Sequence, residues 1–313
     1  PQTAFLEGRV RASRIEGLMR FRRLFDFRSL PSRVVPPRPE GEGLNRAKVG
    51  SVIRVPALFA RPGEMVDYAL ATNDPNPAYL DGKVAPPVFP VRLAKELFKA
   101  VFFDPDLRVD FAHLVHGEQD IRIHRLLRPW DLVSPRATIS GIEDKSTGQV
   151  LTVEQRLLVD GEPVVEMTSR MFIRDRSRKK DEKKADTAPP RPEPDFRGRV
   201  KVSDDQPWRY ADASGDDNPI HVNPEFAKSV GFPNVILQGL CTMAFAGKAV
   251  VDEVLGGNPN RLTRLAVRFS KPVLPEDRLE TKIWRAGDGA VEFETVNQKG
   301  EPVLINGRAE FRG

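Results

Sequence analysis

The stretch YADASGDDNPIH at Tyr210–His221 has an imperfect copy, YALATNDPNPAY, at Tyr68–Tyr79. One constant offset matches Tyr68 with Tyr210, Ala69 with Ala211, Ala71 with Ala213, Asp74 with Asp216, Asn76 with Asn218 and Pro77 with Pro219. The copies part at their last residue, where Tyr79 stands opposite His221. Only the second copy therefore pairs an acidic group with an imidazole, five residues apart. The repeat extends through three more blocks in the same order. VAPPVFPVRLA (84–94) aligns with GFPNVILQGLC (231–241), IRIHRLLRPWD (121–131) with VRFSKPVLPED (267–277), and GEPVVEMTSRMF (161–172) with GEPVLINGRAEF (300–311). Four ordered blocks imply an internal duplication, and one complete acid–base pair implies one active site per chain.

The boundaries follow from composition. Residues 1–48 form an irregular N-terminal extension, in which EGLMRFRRLFDF (16–27) reads as a solvated helix or arm packed on the first domain, the alternative being a short basic amphipathic helix that binds an anionic surface, and PPRPEGEG (36–43) breaks regular structure. The first repeat spans 49–174 and the second 197–313. Between them, 175–196 is charge-dense and then Pro-rich, the pattern of a solvated linker.

The 313 residues are enough for two domains with a substantial core. With 40% hydrophobic and 30% charged residues the composition is that of a globular protein. No apolar run reaches the roughly 18–20 residues of a membrane-spanning helix, and no signal-peptide pattern opens the sequence. The single Cys241 excludes an intrachain disulfide and fits a reducing, cytoplasmic setting. The net charge of +5 sits largely in segments expected to be flexible, and no nucleic-acid-binding motif accompanies it.

Each half shows the same order of elements. A strand (Val52–Pro56; Arg199–Ser203) leads to the Tyr…Asp-x-Asn-Pro segment. A long apolar helix follows, about Val91–Phe103 and about Leu240–Leu255, and then several strands. TRLAVRFSKPV (263–273), LETKIWRA (279–286), AVEFETVN (290–297) and PVLINGRAEF (302–311) carry the period-two or β-branched character of strands. One long helix and an antiparallel sheet per half indicate an α+β fold. The helix LCTMAFAGKAVV (240–251) is apolar on nearly all sides, so the sheet is expected to wrap it.

Within the second copy, Ser-Gly-Asp-Asp-Asn-Pro reads as a turn holding Asp216, followed by a short extended step set by Pro219 that leads to His221. Asn223 and Pro224 read as the N-cap and first position of a short helix ended by Gly231. Asp216 and His221 then flank one tight turn, close enough to share a water that the pair can deprotonate. The plainer alternative is a turn-capping Asp and a packed His. Gln238-Gly239 precedes the apolar helix, and a glycine N–H at a helix start suits a polarised carbonyl as well as it suits close packing.

YADASGDDNPIHVNPEFA (210–227) resembles the signature of the MaoC-like, R-specific enoyl-CoA hydratases, the hydratase 2 family. FPNVILQGL (232–240), VRFSKPVLPED (267–277) and, in the first half, VHGEQDIRIHRLLRPWD (115–131) are similar to that family's two-repeat members, so the resemblance covers roughly residues 50–313. It implies a double hot dog, two tandem hot-dog repeats whose sheets join, with the degenerate first half shaping an acyl tunnel. It further implies Asp216 and His221 as the catalytic pair, Asn218 as an orienting residue and Gly239 as the oxyanion donor. The family usually carries His-Gly where this chain has Gln238-Gly239.

The implied reaction is hydration of a trans-2-enoyl thioester to the (3R)-hydroxyacyl thioester, or its reverse, on an acyl-CoA or acyl-carrier-protein substrate. No metal or redox cofactor is expected, because CoA enters as part of the substrate. His113, His116 and His124 lack a zinc-ligand spacing, and His116-Gly117-Glu118 reads as the stabilised start of a strand. Arg268 and Lys271 are the basic residues expected at the CoA phosphates. The rivals are a carrier-protein dehydratase of fatty-acid synthesis, a non-catalytic acyl-thioester binding protein and a hot-dog thioesterase. Acyl chain length, and whether the chain pairs as a homodimer, are not readable from the sequence.

Overall fold

The computed structural model describes residues 43–175 and 191–313. The helix or arm expected at 16–27 and most of the expected linker lie outside them. The first repeat runs β1 (Val52–Arg54), β2 (Leu58–Phe59), α1 (Pro62–Ala71), α2 (Pro77–Leu80), α3 (Pro90–Leu93) and α4 (Lys95–Phe102). It continues with β3 (Leu114–Ile123), β4 (Leu132–Lys145), β5 (Gly148–Val159) and β6 (Glu162–Arg174). The second runs β7 (Phe196–Lys201), α5 (Gln206–Ser214), α6 (Pro219–Val222), α7 (Pro224–Ser229) and α8 (Gly239–Glu253). It ends with β8 (Leu262–Phe269), β9 (Arg278–Arg285), β10 (Ala290–Val296) and β11 (Pro302–Phe311).

All the strands belong to antiparallel pairings, and one continuous path reads β1-β4-β5-β6-β3-β8-β11-β10-β9-β7, with β2 beside β4. The order is the same read from either end once β3 is exchanged for β8, β6 for β11, β5 for β10, β4 for β9 and β1 for β7. The duplication in the sequence is thus a pseudo-two-fold axis through the β3–β8 seam, where Glu118 faces Arg268 and Arg122 faces Arg264. Arg264 pins the seam, bonding Asp120 Oδ2 at 2.7 Å across it and Glu310 Oε1 at 2.9 Å on the neighbouring strand. On the helical side the matched tyrosines of the repeat meet, Tyr68 and Tyr210 hydroxyls being 2.9 Å apart with both residues fully buried.

The four strands expected in the second half form as β8 to β11. Their alternation fits a sheet with one face on a core and the other toward solvent. The buried face wraps α8, and Gly198 of β7 allows the close approach, since a Cβ there would lie 2.4 Å from Ala249 Cβ. The Asp160-Gly161 pair between β5 and β6 has φ of 52° and 86°, the left-handed values a two-residue hairpin turn requires.

Two expectations change. The helix expected at about Val91–Phe103 is broken at Ala94 into α3 and α4. Leu93 and Ala94 pack into the large core that runs through both halves, whereas Leu97, Val101 and Phe102 pack into a second core beneath β4 to β6. The break lets the segment serve both. The ends of the expected irregular segments are also docked. Leu44 is buried with its N–H on Gln149 Oε1 at 2.7 Å. Pro192 O accepts from Trp284 Nε1 at 2.8 Å, with the Arg191 guanidinium over the same indole. No described helix is long and apolar enough to cross a membrane.

Candidate active site

Helix α5 ends at Gly215, whose φ of 78° and N–H bond to Ala211 O make a left-handed cap. Ser214 Oγ donates to Tyr210 O at 2.7 Å and accepts from Asp216 N at 3.1 Å, which fixes the first residue beyond the cap. Asn218 then caps α6, accepting from Ile220 N at 3.3 Å, with Pro219 at the first helical position. His221 therefore sits in a helical turn, and the extended step expected before it does not form. The Asn-Pro logic that places α7 at Asn223-Pro224 operates one turn earlier as well. Trp208 Nε1 donates to Val222 O at 3.1 Å and ties this turn back to α5.

His221 is 8% exposed, and its Nδ1 lies 2.8 Å from Ile236 O. A carbonyl can only accept, so Nδ1 carries the hydrogen and Nε2 keeps its lone pair when the ring is neutral. Nε2 lies 4.0 Å from Asp216 Oδ2. That is too long for a direct hydrogen bond and short enough for one water bonded to both. Burial pushes the His221 pKa down, against the Asp216 charge and the Ile236 carbonyl, which raise it.

The segment Ile236–Gly239 runs beside this pair. Gln238 is fully buried, and its Nε2 donates to Pro207 O at 3.0 Å and to Asp216 O at 3.1 Å. Gly239 opens α8, so its N–H has no acceptor one turn back. A Cβ on Gly239 would come within 3.0 Å of the Phe269 ring. Close packing alone accounts for a glycine here, and an N–H at the helix start is compatible with the donor reading. The Phe269 ring in turn packs against His116 of the first half, 4.8 Å between centroids with the ring planes tilted by 60°.

His116 lies inside β3, at a bulge between His116 and Glu118, rather than at the strand's start. Its Nε2 is 3.1 Å from Gln119 Oε1, and burial lowers its pKa to about 4. The sequence marks neither His116 nor Phe269 as neighbours of Gly239; only the β3–β8 register, Glu118 opposite Arg268, brings them together. Lys95 was also missed. It lies against Gly215, where a Cβ would meet its Nζ at 2.7 Å.

Arg268 and Lys271 stand apart from this arrangement. Side chains alternate along a strand, so with Phe269 turned toward Gly239, Arg268 faces the other side of the sheet. It is half exposed there, 3.7 Å from Glu118 Oε1, and Lys271 is likewise exposed at 2.7 Å from Glu301 Oε1. Among the described residues no group of three or more His, Cys, Asp or Glu is placed to hold a metal ion.

The first copy of the motif has a different interior. Asp74 Oδ1 accepts from Asn76 N at 3.2 Å, and Asn76 Nδ2 donates across to Gly257 O at 2.8 Å. Tyr79 is fully buried and its hydroxyl has no hydrogen-bond partner among the described residues. Asp74 and Tyr79 face Ala244, Gly247, Lys248 and Val251 of α8 across a small pocket. Burial raises the Asp74 pKa to about 6, opposed by the Asn76 N–H and the Lys248 charge.

The MaoC-like domain family model matches residues 186–306, and the FAS1-like dehydratase domain region matches 59–167. The chain is 36% identical over 213 residues to the 3-hydroxyacyl-thioester dehydratase Y of Mycobacterium tuberculosis, covering 64% of this chain and 73% of that protein. It is 30% identical over 222 residues to the peroxisomal enoyl-CoA hydratase 2 of Arabidopsis thaliana, covering 67% and 72%. It spans only 28% of the length of the mouse peroxisomal multifunctional enzyme type 2, at 32% identity. A MaoC-like dehydratase from Phytophthora capsici superposes with a TM-score of 0.76 at 28% identity, over 86% of this chain and 98% of that one. A double-hot-dog protein from Mycobacterium tuberculosis, 12% identical with a TM-score of 0.57 over 89% and 98% of the chains, shares the fold.

Proposed function

The chain belongs to the MaoC-like dehydratase family, in its two-repeat double hot-dog form, and we propose that it adds water to trans-2-enoyl-CoA to give (3R)-3-hydroxyacyl-CoA, or catalyses the reverse. The observation that carries the reading is the 4.0 Å separation of His221 Nε2 and Asp216 Oδ2, which one water bonded to both can bridge, with His221 Nδ1 held by Ile236 O. A water in that gap gives a proton to the pair while its oxygen attacks the β-carbon. The π electrons move to the α-carbon and the thioester carbonyl, and the α-carbon takes a proton back from the pair. The Gly239 N–H, at the start of α8, stabilises the charge on the thioester oxygen. Asn218 acts by capping the turn that carries His221.

The addition is redox-neutral and needs no cofactor beyond the CoA of the substrate. The carrier's phosphates would engage Arg268 and Lys271 only by displacing Glu118 and Glu301. Lys95, beside the catalytic loop, is the better-placed cation. A reducing compartment, cytoplasmic or peroxisomal, suits the single, fully buried Cys241. The test is turnover of trans-2-enoyl-CoA thioesters of increasing length with chiral analysis of the product. Formation of the (3R) alcohol is expected; predominantly (3S) product, or thiol release without hydration, contradicts the assignment. Matched carrier-protein substrates, run in the same assay, decide between CoA and carrier protein.

A further inference from the structure

We propose that Gln238 is the positioning residue of this site, its amide donating both hydrogens at once to the Pro207 and Asp216 carbonyls and so fixing where the Asp216 carboxylate stands. The inference rests on the reading of Asp216 as half of the acid–base pair. Both bonds leave the same Nε2, at 3.0 and 3.1 Å, and the side chain is fully buried. Pro207 is in the first turn of α5 and Asp216 follows its cap, so one amide staples both ends of that helix to the start of α8.

The orientation of the amide is set by these acceptors. Its Oε1 is buried without a partner among the described residues, and flipping the group would aim that oxygen at two carbonyl oxygens. The same short segment holds the other half of the pair, because Ile236 O bonds His221 Nδ1. The 4.0 Å gap is thereby referenced to one stretch of backbone from both sides. The repeat supplies the contrast: the Val91 side chain, aligned with Gln238, has no donor, and the same copy has Tyr79 in the place of His221.

Among side chains of this length the choice is narrow. Methionine fills the space and donates nothing. Glutamate donates nothing when ionised and a single O–H when protonated. A neutral histidine has one N–H and one lone pair, so it can satisfy one carbonyl while opposing the other; it donates twice only when protonated. Replacing Gln238 therefore has a readout that general destabilisation does not produce.

The experiment compares Gln238→Met, Gln238→His and Asp216→Asn with the parent chain, on a trans-2-enoyl-CoA, with melting temperatures measured alongside. For folded Gln238→Met, kcat should fall about 10–10²-fold with KM within about threefold, the cost of misplacing a catalytic group by a fraction of an ångström to an ångström. For Gln238→His, the ratio of its kcat to the parent's should be highest at acid pH and fall as the pH rises, since the second donor is lost on deprotonation. A folded Gln238→Met chain with parental kcat, or a pH-independent ratio for Gln238→His, overturns the proposal. Should Asp216→Asn itself keep parental kcat, the reading of the pair fails first, and the two failures are told apart.

Discussion

At the place where the second half carries Asp216, His221, Gln238 and Gly239, the first carries Asp74, Tyr79, Val91 and Arg92. The backbone is the same in outline, with an Asn-capped, Pro-started turn after each acid, Asn218-Pro219 and Asn76-Pro77. The chemistry is not. The second acid is 42% exposed beside an imidazole with a free lone pair. The first is nearly buried beside a phenol whose pKa burial drives further up, which leaves it no base near neutral pH. Arg92, in the place of Gly239, reaches over to the second half instead. Its Nη1 bonds Ala213 O at 2.8 Å while Glu64 holds Nη2 at 2.7 Å. The first half thus braces the end of the helix that leads to Asp216 and the turn proposed to carry the chemistry.

The comparison is broken most directly at the pair itself. Asp216→Asn and His221→Ala should each lower kcat by about 10²–10⁴-fold, and the double variant should be little worse than either. Steady-state rates on the three proteins check this, and multiplicative losses would mean that the two groups act independently. Next is Gly239→Ala. The N–H survives, but the added methyl must displace the Phe269 ring that leans on His116. A loss of about tenfold or more in kcat is expected with a small change in melting temperature.

Asp74 yields a stability effect of opposite sign to an ordinary lost contact. Its folded pKa, about 6, lies above the ordinary 3.8, so the folded state binds the proton more tightly. Stability is unaffected below about pH 4, declines as the pH rises to 6, and stays reduced above it by an order of 3 kcal/mol. Asp74→Asn keeps an oxygen for the Asn76 N–H and should gain about 1–3 kcal/mol at pH 7 and almost nothing at pH 4. Denaturant titrations at the two pH values read the difference. The smallest effect is on the pH profile. Burial holds His221 below its ordinary 6.5, so kcat/KM should stay level to below that pH before falling. In Asp216→Asn, the residual activity should have its acid limb shifted lower still, because the charge that raised the His221 pKa is gone.

Much of this asymmetry was legible in the residues, because a duplication writes its own alignment. Tyr79 opposite His221 marks the second half as the one with an acid–imidazole pair, and the period-two runs of that half place β8 to β11. The break at Ala94 was not legible, since it depends on two cores that form from distant strands. Nor was the helical turn at His221: Asn218-Pro219 is a cap signal as clear as Asn223-Pro224, but the Gly-Asp-Asp before it reads as a turn that continues. Charge alone suggests Arg268 for the CoA phosphates; it does not show that Phe269 faces Gly239 while strand alternation puts Arg268 on the other face of the sheet, beside Glu118. Gln238 is visible in the sequence only as a residue before a glycine; its function depends on two carbonyls brought beside it by the fold.

The central claim is that one half works and the other supports it, and the turnover of Asp74→Asn on a trans-2-enoyl-CoA tests it most directly. The chain should fold, and its kcat should stay within about threefold of the parent's, because Asp74 has no base beside it. A folded Asp74→Asn protein as inactive as Asp216→Asn would place the first half in the chemistry and contradict the account.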